Sequence, residues 1–126
     1  LTDRMPVALD LDVLRSPWPT VQSITAMVCI NLLHISAPEC TRALLRGAAA
    51  LLSPGSPLII YGPFRRNGQH ISSSNAAFDT SLRQRNPCWG VRELEGVEQE
   101  AQQQGLALRR IVTMPANNFS LLFERD

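Results

Sequence analysis

Two short apolar runs bracket one strongly amphipathic stretch, and that arrangement constrains the chain more than any other feature. Residues 24–30 (ITAMVCI) are β-rich and apolar on both faces, the pattern of a central parallel strand covered on both sides. Residues 58–61 (LIIY) form a second short apolar run, closed by Gly62 and Pro63. Between them, residues 36–52 read as the clearest helix. Ser36 can cap it, Glu39 completes a capping box, and Pro38 is tolerated in the first turn. Cys40, Leu44, Ala48 and Leu52 follow at one-turn steps, and Leu45 and Leu51 widen the stripe. Arg42 and Arg46 lie off it, and Pro54-Gly55 ends it. A strand, a helix and a strand in this order point to a parallel pair joined by a crossover.

The remaining segments extend the alternation. Residues 6–13 (PVALDLDV) read as a short strand running into an Asp-bearing loop, and Pro17 and Pro19 around Trp18 interrupt regular structure. Residues 64–87 are polar and irregular, with a short helix predicted over 75–83, where Phe78 and Leu82 stand one turn apart. Residues 91–104 form a second good helix with Leu94, Val97 and Ala101 on its inner face, and Gly105 stops it. Gly96 weakens that helix by roughly 1 kcal/mol relative to Ala. Residues 106–114 and 119–124 are strands. The turn sequence Pro115-Ala116-Asn117-Asn118 between them predicts an antiparallel hairpin. Strands alternating with helices predict an α/β domain with a mostly parallel sheet.

Composition narrows the function classes. The 126 residues suffice for one small domain, and a hydrophobic fraction of 44% supports a real core. A net charge of +1 gives no electrostatic footprint for nucleic acid or an anionic membrane, and no apolar run is long enough to span a bilayer. Cys29, Cys40 and Cys88 are odd in number and widely spaced. Reduced thiols in a cytoplasmic protein are therefore expected, rather than a disulfide framework or a metal site. Ser72-Ser73-Ser74 lacks a nucleophile-elbow context, so hydrolase chemistry has no support. Leu1 is not an initiator Met and no secretory pattern follows it, so the chain is expected to start inside something longer or to be processed.

The strings ALDLDV, INLLHIS, ECTRALLRGAAALLSPG, LIIYGPF, SNAAFDTSLRQRNPCWGVRELE and MPANNFSLLF are distinctive as a set. Together they resemble the methyltransferase-like protein 26 family, from about Pro6 to Phe123. That resemblance implies a class I, S-adenosylmethionine-dependent methyltransferase-like fold. Such a fold is Rossmann-like, with its last strand inserted antiparallel beside the one before it. A complete member carries a first strand, a Gly-rich loop and a second strand ending in an acidic residue. Nothing here matches G-x-G after a strand. Residues 1–126 are thus expected to form a single incomplete domain lacking the first two strands and beginning at the third.

The resemblance also implies site residues. Asp12 with Val13, and Asp10 second, match the position that holds the adenine amino group, because a carboxylate there accepts its N–H. Solvated strand-end acids are the alternative. Asn31 and Leu32 follow the central strand, where ligands of open α/β sheets bind, and would face the methionine part of the cofactor. His34 is either a general base on the acceptor side or a hydrogen-bonded residue before a helix. Tyr61 is either a pocket residue or half-buried packing. His70 is expected in solvent, and Trp89, Asn117 and Asn118 have no derivable role. The cofactor implied is S-adenosylmethionine, bound weakly or not at all by this chain alone.

Removing the first two strands would leave the 24–30 strand with a bare apolar edge, so that the 6–13 strand re-pairs with it, two chains associate through it, or the fragment folds poorly. The expected function is methyl transfer to an unknown acceptor. The alternative is a non-catalytic pseudo-methyltransferase or truncated isoform that acts through protein contacts.

Overall fold

In a computed structural model, which describes residues 7–19 and 24–126, the strand–helix–strand unit is present. Strand β1 (Met27–Ile30) leads through a short 3-10 turn (Leu33–Ile35) into helix α1 (Pro38–Leu51), and strand β2 (Pro57–Gly62) follows. β1 and β2 pair in parallel, with Met27 opposite Leu58 and Ile30 opposite Tyr61. β1 is shorter than its apolar run, since Ile24 makes only an isolated bridge to Leu52.

The expected capping box at Ser36 does not form. The Ser36 hydroxyl donates back to the Leu32 carbonyl at 2.9 Å, closing the 3-10 turn. Ala37 stands at the cap position with no side-chain bond, and Pro38 opens the helix.

Strand β3 (Phe64–Arg65), helix α2 (Ser73–Arg85), strand β4 (Arg92–Glu93), helix α3 (Leu94–Gln103), strand β5 (Leu106–Met114) and strand β6 (Asn118–Arg125) complete the chain. α2 is longer than predicted at both ends, and at its start the Ser72 hydroxyl accepts the Asn75 N–H at 3.0 Å, so the helix begins two residues earlier. α3 is shorter than predicted. Arg92 and Glu93 are drawn into a two-residue parallel ladder with Phe64 and Arg65 before the helix begins. β5 and β6 form the predicted antiparallel hairpin.

The main sheet has the order β1-β2-β6-β5. β1, β2 and β5 run the same way, and β6 lies reversed between β2 and β5. Helices α1 and α3 cover one face of this sheet. Leu44, Leu45 and Ala48 of α1 and Val97 and Ala101 of α3 pack with Leu58, Ile60, Leu121 and Phe123. Each large side chain fully buried there contributes about 1.5–3 kcal/mol of transfer free energy. The alternate residues of β2 and β6 are only half-buried.

β1 forms one edge of the sheet, with Val28 58% and Ile30 62% exposed. The two-sided cover expected for 24–30 is therefore absent among the described residues, and the bare apolar edge is present. The strand expected over 6–13 is also absent. Pro6 lies outside the described residues, and residues 7–12 have no regular structure. Val7 is 90% exposed. A lone alternating run has no ladder to join, and a turn takes its end instead. The Asp12 carboxylate accepts the Leu14 N–H at 3.0 Å, and the Trp18 indole N–H donates to the Val13 carbonyl. The Trp18 ring then rests on Gly47, where it leaves no room for a Cβ. Among the described residues no helix is long and apolar enough to cross a membrane.

Candidate functional site

β1, β2 and β5 end on the same side of the sheet, where open α/β folds bind ligands. Asn31, just past β1, adopts a left-handed backbone (φ 56°), which Asn tolerates better than most residues. Its N–H donates to the Tyr61 carbonyl at 3.0 Å and ties the ends of β1 and β2 together. The 3-10 turn then carries His34 back over the end of β2. A Cβ on Gly62 would lie 3.5 Å from His34 Nδ1 and 3.8 Å from Asn31 Oδ1, so the glycine keeps this corner open.

At the end of β5 the chain turns through Ala116 and Asn117, both left-handed (φ 61° and 62°), and re-enters the sheet at Asn118. Helix α2 closes over this turn, with Asn75 Nδ2 donating to the Asn117 carbonyl at 3.1 Å. The Phe78 ring stands 5.7 Å from the His34 ring, tilted by 59°. Asn31, His34, Pro63, Asn75, Phe78, Ala116 and Asn118 line a cleft of about 440 Å³.

His34 is buried, and its pKa lies below the ordinary 6.5. Burial disfavours the imidazolium first, and the nearby Arg92 guanidinium adds to this. Among the described residues nothing hydrogen-bonds its ring nitrogens. Its backbone, by contrast, is held firmly. The Gly90 N–H donates to the His34 carbonyl at 3.0 Å. Arg92 donates to the carbonyls of Leu33 (3.1 Å), Ser36 (2.6 Å) and Cys88 (2.7 Å). The site therefore presents a neutral imidazole, fixed from behind, to a cleft.

Behind the Gly90 loop lies Asp79. Its carboxylate accepts the Val91 N–H at 2.8 Å and the Arg83 Nε at 3.1 and 3.2 Å. His70 Nε2 lies 3.2 Å from it. His70 is thus a partner of Asp79 and not the solvent-exposed loop residue that was expected.

The residues singled out in the sequence separate into two groups. Asn31 and His34 share the cleft. Leu32 sits beside them but turns its side chain to the core, so its carbonyl, which accepts from Ile35 and Ser36, is its polar contribution. Tyr61 stands beside the cleft, and its hydroxyl accepts from Asn118 Nδ2 at 3.0 Å. Asp10, Asp12 and Val13 are not brought to this rim. Val13 lies with Trp18 against Ala43, Gly47 and Ala50 of α1, and the Asp12 carboxylate is engaged by its own turn.

Asn75, Phe78, Asp79, Gly90, Arg92 and Asn118 were missed as site residues, although they sit in the strings NAAFD, NPCWGVRELE and MPANN. The signal in those strings was a concentration of Asn, Gly and aromatic residues at the ends of predicted helices and in the turns beside them.

A family profile described as "Protein of unknown function (DUF938)" matches residues 2–125. The chain belongs to this family. The DUF938 chain also superposes on solved methyltransferases. One is an O-methyltransferase family 2 protein from Planctomyces limnophilus DSM 3776 in complex with apigenin. It has a TM-score of 0.76 and 19% identity, and the match covers 91% of this chain and 34% of that one. A second is CalO1, the methyltransferase in calicheamicin biosynthesis, in its SAH-bound form. It has a TM-score of 0.75 and 15% identity, with coverage of 94% and 34%. A third is the mitomycin 7-O-methyltransferase MmcR, with a TM-score of 0.71 and 16% identity, and coverage of 85% and 31%. The DUF938 chain therefore has an α/β methyltransferase-like fold, and it spans about a third of the length of these structures.

The residues of the DUF938 cleft fit an adenosyl sulfonium in part. That group is a cation, and the lining puts no positive side chain against it because His34 is held neutral. Asp10 and Asp12, the acids that the resemblance sets against the adenine, do not line this cleft.

Proposed function

We propose that this chain forms the acceptor side of an S-adenosylmethionine-dependent methyl-transfer site, with His34 as general base, in a lineage shared with methyltransferase-like protein 26. The observation that carries this reading is a neutral, backbone-clamped imidazole in a cleft at the carboxyl ends of β1, β2 and β5. When bound, the cofactor supplies an electrophilic methyl group. His34 would accept the proton of an acceptor hydroxyl as that oxygen takes the methyl group, whose bond to the sulfonium sulfur would break to release the neutral thioether. Arg92 and Gly90 hold the imidazole at its station, and Tyr61 orients Asn118 beside it. Methyl transfer needs alignment more than elaborate chemistry, so a short list of groups suffices. Asn31 and Leu32 are assigned to the methionine side. Asp10, Asp12 and Val13 are assigned to the adenine side, once their segment is seated on the β1 edge. Three free cysteines suit a reducing compartment such as the cytoplasm. The test is methyl transfer from labelled cofactor by the full-length protein across a panel of hydroxylated small molecules. Transfer is expected, and none across the panel would overturn the reading.

The exposed Val28 and Ile30 favour a second reading, in which the β1 edge pairs with a second copy of the chain. Ile30→Lys is then expected to shift the 126-residue chain from dimer to monomer in analytical ultracentrifugation. A monomer before and after the substitution would remove this reading.

A further inference from the structure

The lining of the cleft restricts what it can hold. Asn31, Asn75 and Asn118 are neutral amides, His34 is held uncharged, and Phe78 and Pro63 are apolar. The charged side chains nearby are committed elsewhere. Arg92 directs its Nε and Nη2 to three backbone carbonyls, and Asp79 is taken by Val91, Arg83 and His70. A carboxylate, phosphate or ammonium entering the cleft would lose water and gain no counter-charge, which is a costly exchange.

The amides also have a direction. Asn75 gives its Nδ2 to the Asn117 carbonyl, and Asn118 gives its Nδ2 to the Tyr61 hydroxyl. In both, one N–H of the carboxamide is engaged, and the carbonyl oxygen keeps its acceptor capacity for a ligand. His34 likewise offers a lone pair. The cleft therefore offers acceptor oxygens and a ring lone pair beside a few N–H donors, a mixture met by hydroxyl groups, which donate and accept. Beside these acceptors the Phe78 ring, 40% exposed, meets the tilted His34 ring and forms an apolar corner suited to the edge or face of a planar ring.

We propose that the ligand class of this cleft is an uncharged, ring-sized molecule carrying more than one hydroxyl. One hydroxyl would lie at His34 and another at the carbonyl oxygens of Asn75 and Asn118. Calling that molecule the methyl acceptor rests on the function proposed above; its binding does not.

The test is a titration of the full-length protein, followed by NMR at the side-chain amides of Asn75 and Asn118 and the ring of His34. Three probes share one ring: catechol, its dimethyl ether, and 3,4-dihydroxybenzoate. Catechol is expected to shift all three sets of signals. The ether, which has lost its donors, and the benzoate, which adds a charge, are each expected to bind about tenfold more weakly or worse. Asn75→Leu is expected to narrow the gap between catechol and the ether while leaving the gap to the benzoate. Equal or tighter binding of the ether or the benzoate would overturn the proposal, and so would the absence of binding by all three. Binding of catechol with no methyl transfer across the whole panel would remove the methyl-transfer reading and leave this one standing. Methylation of the benzoate in preference to catechol would do the reverse.

Discussion

Replacing Asp79 with alanine is expected to destabilise the fold by about 3 kcal/mol and to lower Tm by about 10 °C. The carboxylate is a buried acceptor shared by the Val91 N–H, Arg83 and His70. Its removal strands the Val91 N–H in a buried setting and leaves Arg83 and His70 without their anion. Asp79→Asn keeps an acceptor for Val91 and should recover part of the loss, so the gap between the two variants isolates the cost of the orphaned amide. The pH dependence has a definite sign. Burial alone would raise the Asp79 pKa, but the Val91 N–H, Arg83 and His70 outweigh it and hold the carboxyl below its ordinary 3.8. A depressed folded pKa means that this stabilisation is complete above the ordinary carboxylate range and is lost as pH falls through the lowered value. Urea melts of the parent and Asp79→Asn should therefore differ at neutral pH and converge in acid. Equal stabilities at neutral pH would show that Asp79 does not hold this loop.

The same residue shows why the site was only partly legible from sequence. The crossover from β1 to β2 was readable, because apolar runs and one helical stripe carry a periodic signal that survives without tertiary context. His34 and Asn31 were readable for a related reason, since a polar pair just past the carboxyl end of a parallel strand stands where open sheets bind ligands. Asp79 had no such marker. It lies on a helix of weak amphipathicity, and its meaning comes from Val91, which is distant in sequence and meets it only through a loop turn at Gly90. A Cβ at Gly90 would lie 2.9 Å from Arg83 and 3.0 Å from Asp79, so that glycine records a close approach and not a flexible joint.

The misreadings had local competitors. Ser36 was expected to cap α1, but the helix starts one residue later, with Ala37 at the cap position, and the Ser36 hydroxyl donates back to the Leu32 carbonyl instead. The alternation at residues 6–13 was read as a strand, yet alternation specifies a face and not a partner, and the Asp12 turn takes the end of that segment.

His34→Ala is expected to lower kcat/KM for methyl transfer by about a hundred- to ten-thousand-fold, the usual contribution of a positioned general base. Fold stability should change little by comparison, because the ring makes no hydrogen bond among the described residues, whereas its carbonyl, which Gly90 grips, survives the substitution. The pH profile gives the sharper readout. Burial, helped by Arg92, holds the imidazole pKa below 6.5, so the base stays deprotonated into mildly acidic solution. Activity should be flat across neutral pH and fall only below the ordinary histidine range. Arg92→Gln removes the repelling cation and some of the clamp on Leu33 and Ser36. The acid limb should then move toward higher pH while kcat falls. Stability carries the same sign as activity. The unfolded histidine binds its proton first as pH drops, so the stabilisation is complete above 6.5 and is lost as pH falls toward the depressed folded value. The His34→Ala variant should lack that slope. A parent protein whose acid limb sits at or above the ordinary histidine pKa, or a His34→Ala variant with undiminished kcat/KM, would exclude this imidazole as the proton acceptor of the proposed transfer.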